Sequence, residues 1–275
     1  GKKVTICNHD PVPSKFTFLK NSDIVTTATA DGSFDILIIL DCSNPGRLGW
    51  DINTIKTSGI INIDHHRDNS RFGNFNIVQT NAAATGEIIY DFFNQMKFEF
   101  PDFVAESLYT AILSDTGGFR FSNTNSRILR ACAELSDRGA DCAKIYERVY
   151  SSHSQTALLL QSRIWSTLHF LFNGKVCIME MPGSLLDEIG AQYSDSEGMA
   201  DYTTTAVGVY VGMLIKHTES ETHFSLRSRG LVDVGKIAQK VPGGGGHSNA
   251  AGCTIHKPFS TALSEMLSII EQELG

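Results

Sequence analysis

Gly59-Ile60-Ile61-Asn62-Ile63-Asp64-His65-His66 is the stretch on which the fold turns. A short apolar run bounded by a glycine and by polar residues reads as a strand buried on both faces. Asp35-Ile36-Leu37-Ile38-Ile39-Leu40 is a second such run, closed by Asp41 and the turn residues Ser43-Asn44-Pro45-Gly46. Longer stretches at helical spacing follow over Thr85 to Met96, Val104 to Leu113 and Ile128 to Leu135. Strands alternating with helices predict a parallel α/β sheet, and open sheets of that kind place ligands beyond the carboxyl ends of their strands. Asp41 and Asp64-His65-His66 stand at two such ends.

Outward from there the texture changes. Tyr150 to Asn173 reads as one long helical connector, on the spacing of Leu158, Leu159, Ile164, Trp165 and Leu168. Beyond it Lys175 to Met181, Thr203 to Lys216 and Thr222 to Arg229 alternate as strands, Val232 to Val241 and Ser260 to Leu274 are helical, and Ala250 to His256 is a further strand. This predicts a second, smaller α+β domain. The expected division is residues 1–150, a helical linker 151–173, and a second domain 174–275. Val4-Thr5-Ile6 reads as a strand already under way at the start of the chain.

The 275 residues carry 41% hydrophobic and 19% charged residues, ordinary for globular cores. A net charge of −7 argues against a protein that coats long duplex nucleic acid, but leaves room for a small anionic substrate held by a metal ion and local cations. The six cysteines are scattered without a Cys-x-x-Cys pair, as expected of reduced thiols in the cytoplasm. No apolar run approaches the ~20 residues that span a membrane.

Three carboxylate-bearing loops carry the chemistry: Asp41, Asp64-His65-His66, and Asp115 in Ser114-Asp115-Thr116-Gly117-Gly118. A carboxylate buried without a partner costs several kcal/mol, whereas three such groups can share a divalent cation, and oxygen plus imidazole donors suit manganese better than an all-sulfur zinc site does. The plainer readings are an Asx turn at Asp41, a helix-terminal residue at Asp115 and solvated loop histidines.

Asp41 in "ILDCSNPGRLG", Asp64-His65-His66 in "NIDHH" and Asp115 in "ILSDTGGFRFSNT" resemble three of the four motifs of the DHH phosphoesterase superfamily. Gly243-Gly244-Gly245-Gly246-His247-Ser248-Asn249-Ala250-Ala251-Gly252 resembles the signature of the associated DHHA1 domain, and the second half is most similar to the nanoRNase branch. The resemblance implies an α/β fold: a DHH lobe whose mostly parallel sheet is flanked by helices, a smaller α+β DHHA1 lobe, and an active site in the cleft between them. It implies a manganese-dependent phosphodiesterase acting on short RNA (nanoRNA) or on 3'-phosphoadenosine 5'-phosphate. Asp41, His65 and Asp115 would bind metal, two manganese ions in all. His66 would stand at the scissile phosphate, and Asp64 would orient the histidines. A dinucleotide phosphodiesterase and an inactive nucleotide-binding relative are the alternatives. A homodimer is an open option.

The family's first motif, His-x-x-x-Asp-x-Asp, has no counterpart here. The resemblance therefore leads us to expect a chain lacking an N-terminal strand, motif loop and helix, with one metal site nearly bare. On the substrate side, Gly243 to Gly246 would let backbone N–H groups approach an anion, with His247 donating to a phosphate oxygen. Arg227 and Arg229, two apart on one strand, would face the same side and grip phosphate, the alternative being a solvated edge. Arg120 is a weaker candidate for the leaving phosphate, and Phe119 and Phe121 are expected in the core.

Overall fold

The two apolar runs form neighbouring parallel strands, but they are not buried on both faces as the sequence suggests: Ile36, Ile38 and Leu40 are exposed. The computed structural model describes residues 1–28 and 32–274, and the chain divides into two compact units, Gly1–Ser152 and His153–Gly275. In chain order the first unit carries strands β1 (Ile6–Cys7), β2 (Val25–Thr26), β3 (Ser33–Phe34), β4 (Leu37–Leu40), β5 (Lys56–Thr57), β6 (Ile60–Asp64) and β7 (Phe75–Val78), then helices α1 (Thr85–Gln95), α2 (Asp102–Asp115), α3 (Ser126–Asp137) and α4 (Cys142–Tyr150). Its largest sheet has the order β4-β6-β7, all parallel, with Ile39 opposite Asn62 and Ile63 opposite Ile77.

Helices α1 to α4 form the core of this unit, where Ile112, Leu113, Ile128, Leu135 and Ile145 are fully buried. Burying each such side chain contributes ~1.5–3 kcal/mol. The N-cap of α3 is Asn125, whose side chain accepts from the N–H groups of Arg127 and Ile128, both at 3.0 Å. At the start of α1 the chain packs closely against α2: a Cβ on Gly86 would lie 2.8 Å from Cβ of Ala111. This brings Thr85 to the carboxyl ends of the strands.

One face of the β4-β6-β7 sheet is apolar and open. Ile36, Ile38 and Leu40 on one side and Phe75 and Ile77 on the other are exposed, with Ile61 and Ile63 half-buried between them.

The second unit contains α5 (Gln155–Trp165), β8 (His169–Leu171), β9 (Val176–Pro182), α6 (Ser184–Ile189), α7 (Met199–Tyr202), β10 (Val211–His217), β11 (Thr222–Ser228), α8 (Val234–Gln239), β12 (Gly245–Gly246), β13 (Ala250–Ile255) and α9 (Phe259–Leu274). Its sheet has the order β12-β13-β11-β10-β9-β8, parallel only between β9 and β10. Val211, Met213, Ile215, Phe224 and Leu226 point to one face and pack with α8 and α9. Met179, Met181 and Leu214 point to the other and pack with Leu160 and Ile164 of α5 and Leu185 of α6.

The mixed α/β class expected from the sequence is the class observed, with four local corrections. The expected helix over 150–173 is two helices and a strand: α4 stops at Tyr150, Ser154 Oγ accepts from Ala157 N–H at 3.0 Å to cap α5, and β8 follows. Of the stripe that suggested one helix, Leu158 and Leu159 are exposed. The strand expected from Thr203 begins only at Val211, because the hydroxyls of Thr203 and Thr205 bond back to the carbonyls of Ala200 and Tyr202 at 2.6 and 2.7 Å and close α7. β11 ends at Ser228, so Arg229 lies in the following turn and not on the strand with Arg227. Phe119 packs against the helical core, but Phe121 is exposed.

Candidate metal centre

Asp64 is the last residue of β6 and is completely buried. Its Oδ1 accepts from His65 N–H at 2.8 Å and from His66 Nδ1–H at 2.7 Å, and its Oδ2 accepts from the Asn69 side chain at 2.5 Å. Burial alone would push this carboxyl up, but the side-chain hydrogen bonds from His66 and Asn69 outweigh it and hold the pKa below the ordinary carboxylate value. Asp64 is thus an ionised anchor whose lone pairs are spent on orienting its neighbours.

Both histidines are fixed through Nδ1. His65 Nδ1 lies 3.3 Å from the carbonyl oxygen of Ala82, which can only accept, so this nitrogen carries the hydrogen and Nε2 the lone pair. His66 Nδ1 donates to Asp64, which gives its Nε2 the same character. His65 Nε2 stands 3.5 Å from Asp41 Oδ1 and 3.6 Å from Asp115 Oδ2. These separations are too long for hydrogen bonds. Donor atoms about 2.1 Å from one ion stand about 3.0–3.4 Å apart, close to what is seen.

Asp41 follows β4 directly, its N–H continuing the ladder to Ile63 O at 2.9 Å. Its φ of 58° is left-handed, a conformation that costs a residue with a Cβ about 1 kcal/mol and that clusters at functional sites. Oδ1 accepts from Thr85 Oγ1 at 2.8 Å, which aims the carboxylate at His65. Asp115 closes α2. Burial, and then the charge of Asp41, push its pKa up to about 6, against the opposing pull of His65 and His66.

Two carboxylates that repel each other beside imidazoles whose lone pairs face them suit a divalent cation. Among the described residues, ligand atoms of Asp41, Asp64, His65 and His66 lie within 4.8 Å of one another. With Asp64 committed to hydrogen bonds, Asp41, His65 and His66 remain of that group, and Asp115, outside it, lies 3.6 Å from His65 Nε2; these are the side chains that could hold an ion. The set is oxygen and imidazole, suited to manganese and similar hard or borderline metals.

The pKa of Asp115 sets a pH dependence. Its folded-state value lies above its unfolded one, so the stability tied to its proton is present below about 4 and is lost as pH rises through about 6. A bound cation removes that loss. The gain in melting temperature on adding Mn2+ is therefore expected to be larger near pH 7.5 than near pH 5, read by thermal unfolding with and without chelator. An equal gain at both would remove Asp115 from the site.

Two polar residues that the sequence reading passed over support this centre. Asn62, wholly buried in mid-strand, donates to Cys42 O at 3.1 Å. Asn69 donates to Asn62 Oδ1 at 2.8 Å and to Cys42 O at 3.2 Å as well as to Asp64, tying the β4 loop to the β6 loop. A lone asparagine inside an apolar strand was the available signal, since it must find partners when buried.

Arg120 is committed to its own turn: Nε donates to Gly117 O at 2.7 Å, and the guanidinium lies 5.9 Å from the Phe121 ring. In the second unit Arg227 Nε donates to Asp201 Oδ1 at 2.6 Å, whereas Arg229 is exposed in its turn. The glycine run is more ordered than a free anion loop. Gly245 and Gly246 form β12, Gly244 N–H donates to Val241 O at 2.9 Å, and His247 N–H donates to Ala250 O at 2.8 Å.

The steric reason for these glycines differs by position. A Cβ on Gly244 would run into the carbonyl oxygen of Ala238, and one on Gly246 into Ala251, whereas one on Gly245 meets nothing within 4 Å. Gly244→Ala is therefore expected to cost roughly 2 kcal/mol or more in denaturant unfolding, and Gly245→Ala well under 1 kcal/mol.

The comparisons with known proteins agree with this frame. Residues 4–112 match the model of the DHH family, N-terminal domain, and residues 173–275 match that of the DHHA1 domain. A Thermus thermophilus protein named bifunctional oligoribonuclease and PAP phosphatase NrnA is 32% identical over 86% of this chain and 71% of its own. Its Bacillus subtilis namesake is 25% identical over 90% of this chain and 77% of its own. The crystal structure of an exopolyphosphatase-related protein from Bacteroides fragilis superposes with a TM-score of 0.85 at 21% identity, covering 99% of this chain and 83% of that one, and so shares its fold. No helix among the described residues is long and apolar enough to cross a membrane. The chain belongs to the DHH–DHHA1 phosphoesterase family.

Proposed function

We propose that this chain hydrolyses short oligoribonucleotides to mononucleotides and dephosphorylates 3'-phosphoadenosine 5'-phosphate, using manganese held by Asp41, His65 and Asp115. The observation that carries this reading is that His65 Nε2, beyond β6, stands 3.5 Å from Asp41 Oδ1, beyond β4, and 3.6 Å from Asp115 Oδ2, at the end of α2. The names of the NrnA relatives supply the substrate classes. The metal would supply an activated water and charge neutralisation at the phosphate. Asp64 holds His66 in the tautomer whose Nε2 carries the lone pair, so His66 is fit to accept a proton or a hydrogen bond at the phosphate. Thr85 and Ala82 fix the aim of Asp41 and His65.

The labour divides between the two units: residues 1–152 would carry hydrolysis, and residues 153–275, which include α5 and β8, would bind nucleotide. Arg227, held by Asp201, offers its remaining guanidinium N–H groups to phosphate. Arg229, the 243–246 run and His247 complete the grip. All six cysteines are free, in keeping with a cytoplasmic enzyme.

Side-by-side turnover of a trinucleotide RNA, 3'-phosphoadenosine 5'-phosphate and a cyclic dinucleotide, with Mn2+ and with chelator, tests this. Metal-dependent release of mononucleotides from the first two is expected. Preference for the cyclic dinucleotide would reassign the substrate. Tight nucleotide binding without turnover would make the chain a binding module.

A further inference from the structure

Within the second unit, the face of the sheet opposite α8 and α9 is only partly covered. β11 places Arg227, Ser225 and His223 on this face, since alternate residues share a side, and the register sets them beside Ala250, Gly252 and Thr254 of β13. Ser225, Gly252 and Thr254 are half-buried and His223 is exposed, giving an open floor of small side chains. Gly252 lies in the middle of it. Glycine weakens a strand interior and often marks the close approach of a ligand. Among the described residues, a Cβ on Gly252 would meet no atom nearer than Phe224 O at 3.5 Å and His223 Cε1 at 3.6 Å, so packing leaves room for a side chain here.

The two ends of this floor carry cations and aromatic rings. At one end Arg227 is held by Asp201, whose neighbour Tyr202 is exposed. At the other, Lys216 of β10 stands directly opposite His223. His223 Nδ1 pairs with Thr254 Oγ1 at 3.0 Å, and Lys216 Nζ lies 5.2 Å from the ring centroid of Tyr193, which is 52% exposed. Glu197 lies near Lys216 and Glu221 near His223, and burial together with the Lys216 charge lowers the pKa of His223, so Lys216 is the cation at this end and His223 a neutral hydrogen-bonding group. Arg227 and His223 are four residues apart on one strand, about 14 Å at ~3.4 Å per residue. That exceeds what one phosphate can bridge.

We propose that Tyr193, Lys216 and His223 form a second nucleotide subsite, which takes the base and phosphate of a unit beyond the one held at Arg227 and so reads the length of a short oligonucleotide. The proposal rests on the oligonucleotide reading above. Tyr193 offers a stacking face, Lys216 and His223 offer donors to a phosphodiester oxygen, and the bare floor at Gly252 lets the backbone between the two units lie flat on the sheet.

The test compares KM for a trinucleotide RNA with KM for 3'-phosphoadenosine 5'-phosphate in wild type, Tyr193→Ala, Lys216→Gln and Gly252→Ala, with melting temperatures as a check on folding. A rise of roughly tenfold for the trinucleotide in the first two variants, with the smaller substrate changed less than about twofold, is expected from the loss of one stacked or phosphate-paired contact. An equal rise for both substrates, or none for either, overturns the subsite. Should wild type turn over neither, the hydrolytic reading fails on its own, and the anisotropy of a fluorescein-labelled trinucleotide decides. Weaker binding by Tyr193→Ala and Lys216→Gln supports the subsite, and unchanged binding overturns it.

Discussion

Asp41→Asn is expected to lower kcat/KM on short RNA by roughly a thousandfold while leaving the melting temperature unchanged or slightly raised. The loss corresponds to ~4 kcal/mol of transition-state stabilisation, the scale on which a misplaced metal acts. Stability should survive for three reasons. Asparagine tolerates the left-handed backbone found at position 41. Its amide oxygen can still accept from Thr85 Oγ1. The like charge that helps push Asp115 up to about 6 is removed. Steady-state kinetics alongside thermal unfolding checks both halves. Retained hydrolysis would take Asp41 out of the metal site, and a collapsed fold would make its role structural.

The opposite pattern is expected at Asp64, where stability and activity fall together. Asp64→Ala strands the His65 N–H and the His66 Nδ1–H, while Asn69 keeps Asn62 Oδ1 and Cys42 O as acceptors, and leaving such donors unpaired costs on the order of 2–5 kcal/mol. The sign of the pH effect follows from the depressed pKa. The stabilisation is complete above the unfolded value near 4 and is lost as pH falls through the lower folded value. Wild type should therefore lose unfolding free energy on acidification below about pH 4 that the variant no longer has to lose. Denaturant unfolding across pH 3 to 7 reads this difference, and parallel curves for the two proteins would refute it.

The strands bearing the centre were legible because continuous apolar runs over residues 35–40 and 60–63 have few other readings, and because acidic and imidazole residues crowd their exits. β7 was not, since Phe75-Asn76-Ile77-Val78 is short and mixes polar with apolar positions. The supporting shell was less legible than the ligands. That Ala82 would offer a carbonyl to His65, or that Asn69 would join the two loops, depends on how segments dozens of residues apart meet. The 150–173 stretch misled for a related reason. Helical spacing of leucines does not say which are buried, nor that one helix ends at Tyr150 and Ser154 caps the next. Arg229 shows the same limit at a strand end: alternation continued in the sequence after the pairing had stopped at Ser228.

The open apolar face formed by Ile36, Ile38, Leu40, Phe75 and Ile77 governs how this polypeptide behaves as a solute. Its colloidal stability depends on mutual repulsion from the net charge of −7, because those side chains meet water with no polar screen. That repulsion vanishes as pH approaches the isoelectric point near 5.7, and sulfate strengthens the drive to hide apolar area. Mildly acidic, salted buffers are thus where the molecule salts out first, and dilute alkaline ones are where it stays dispersed.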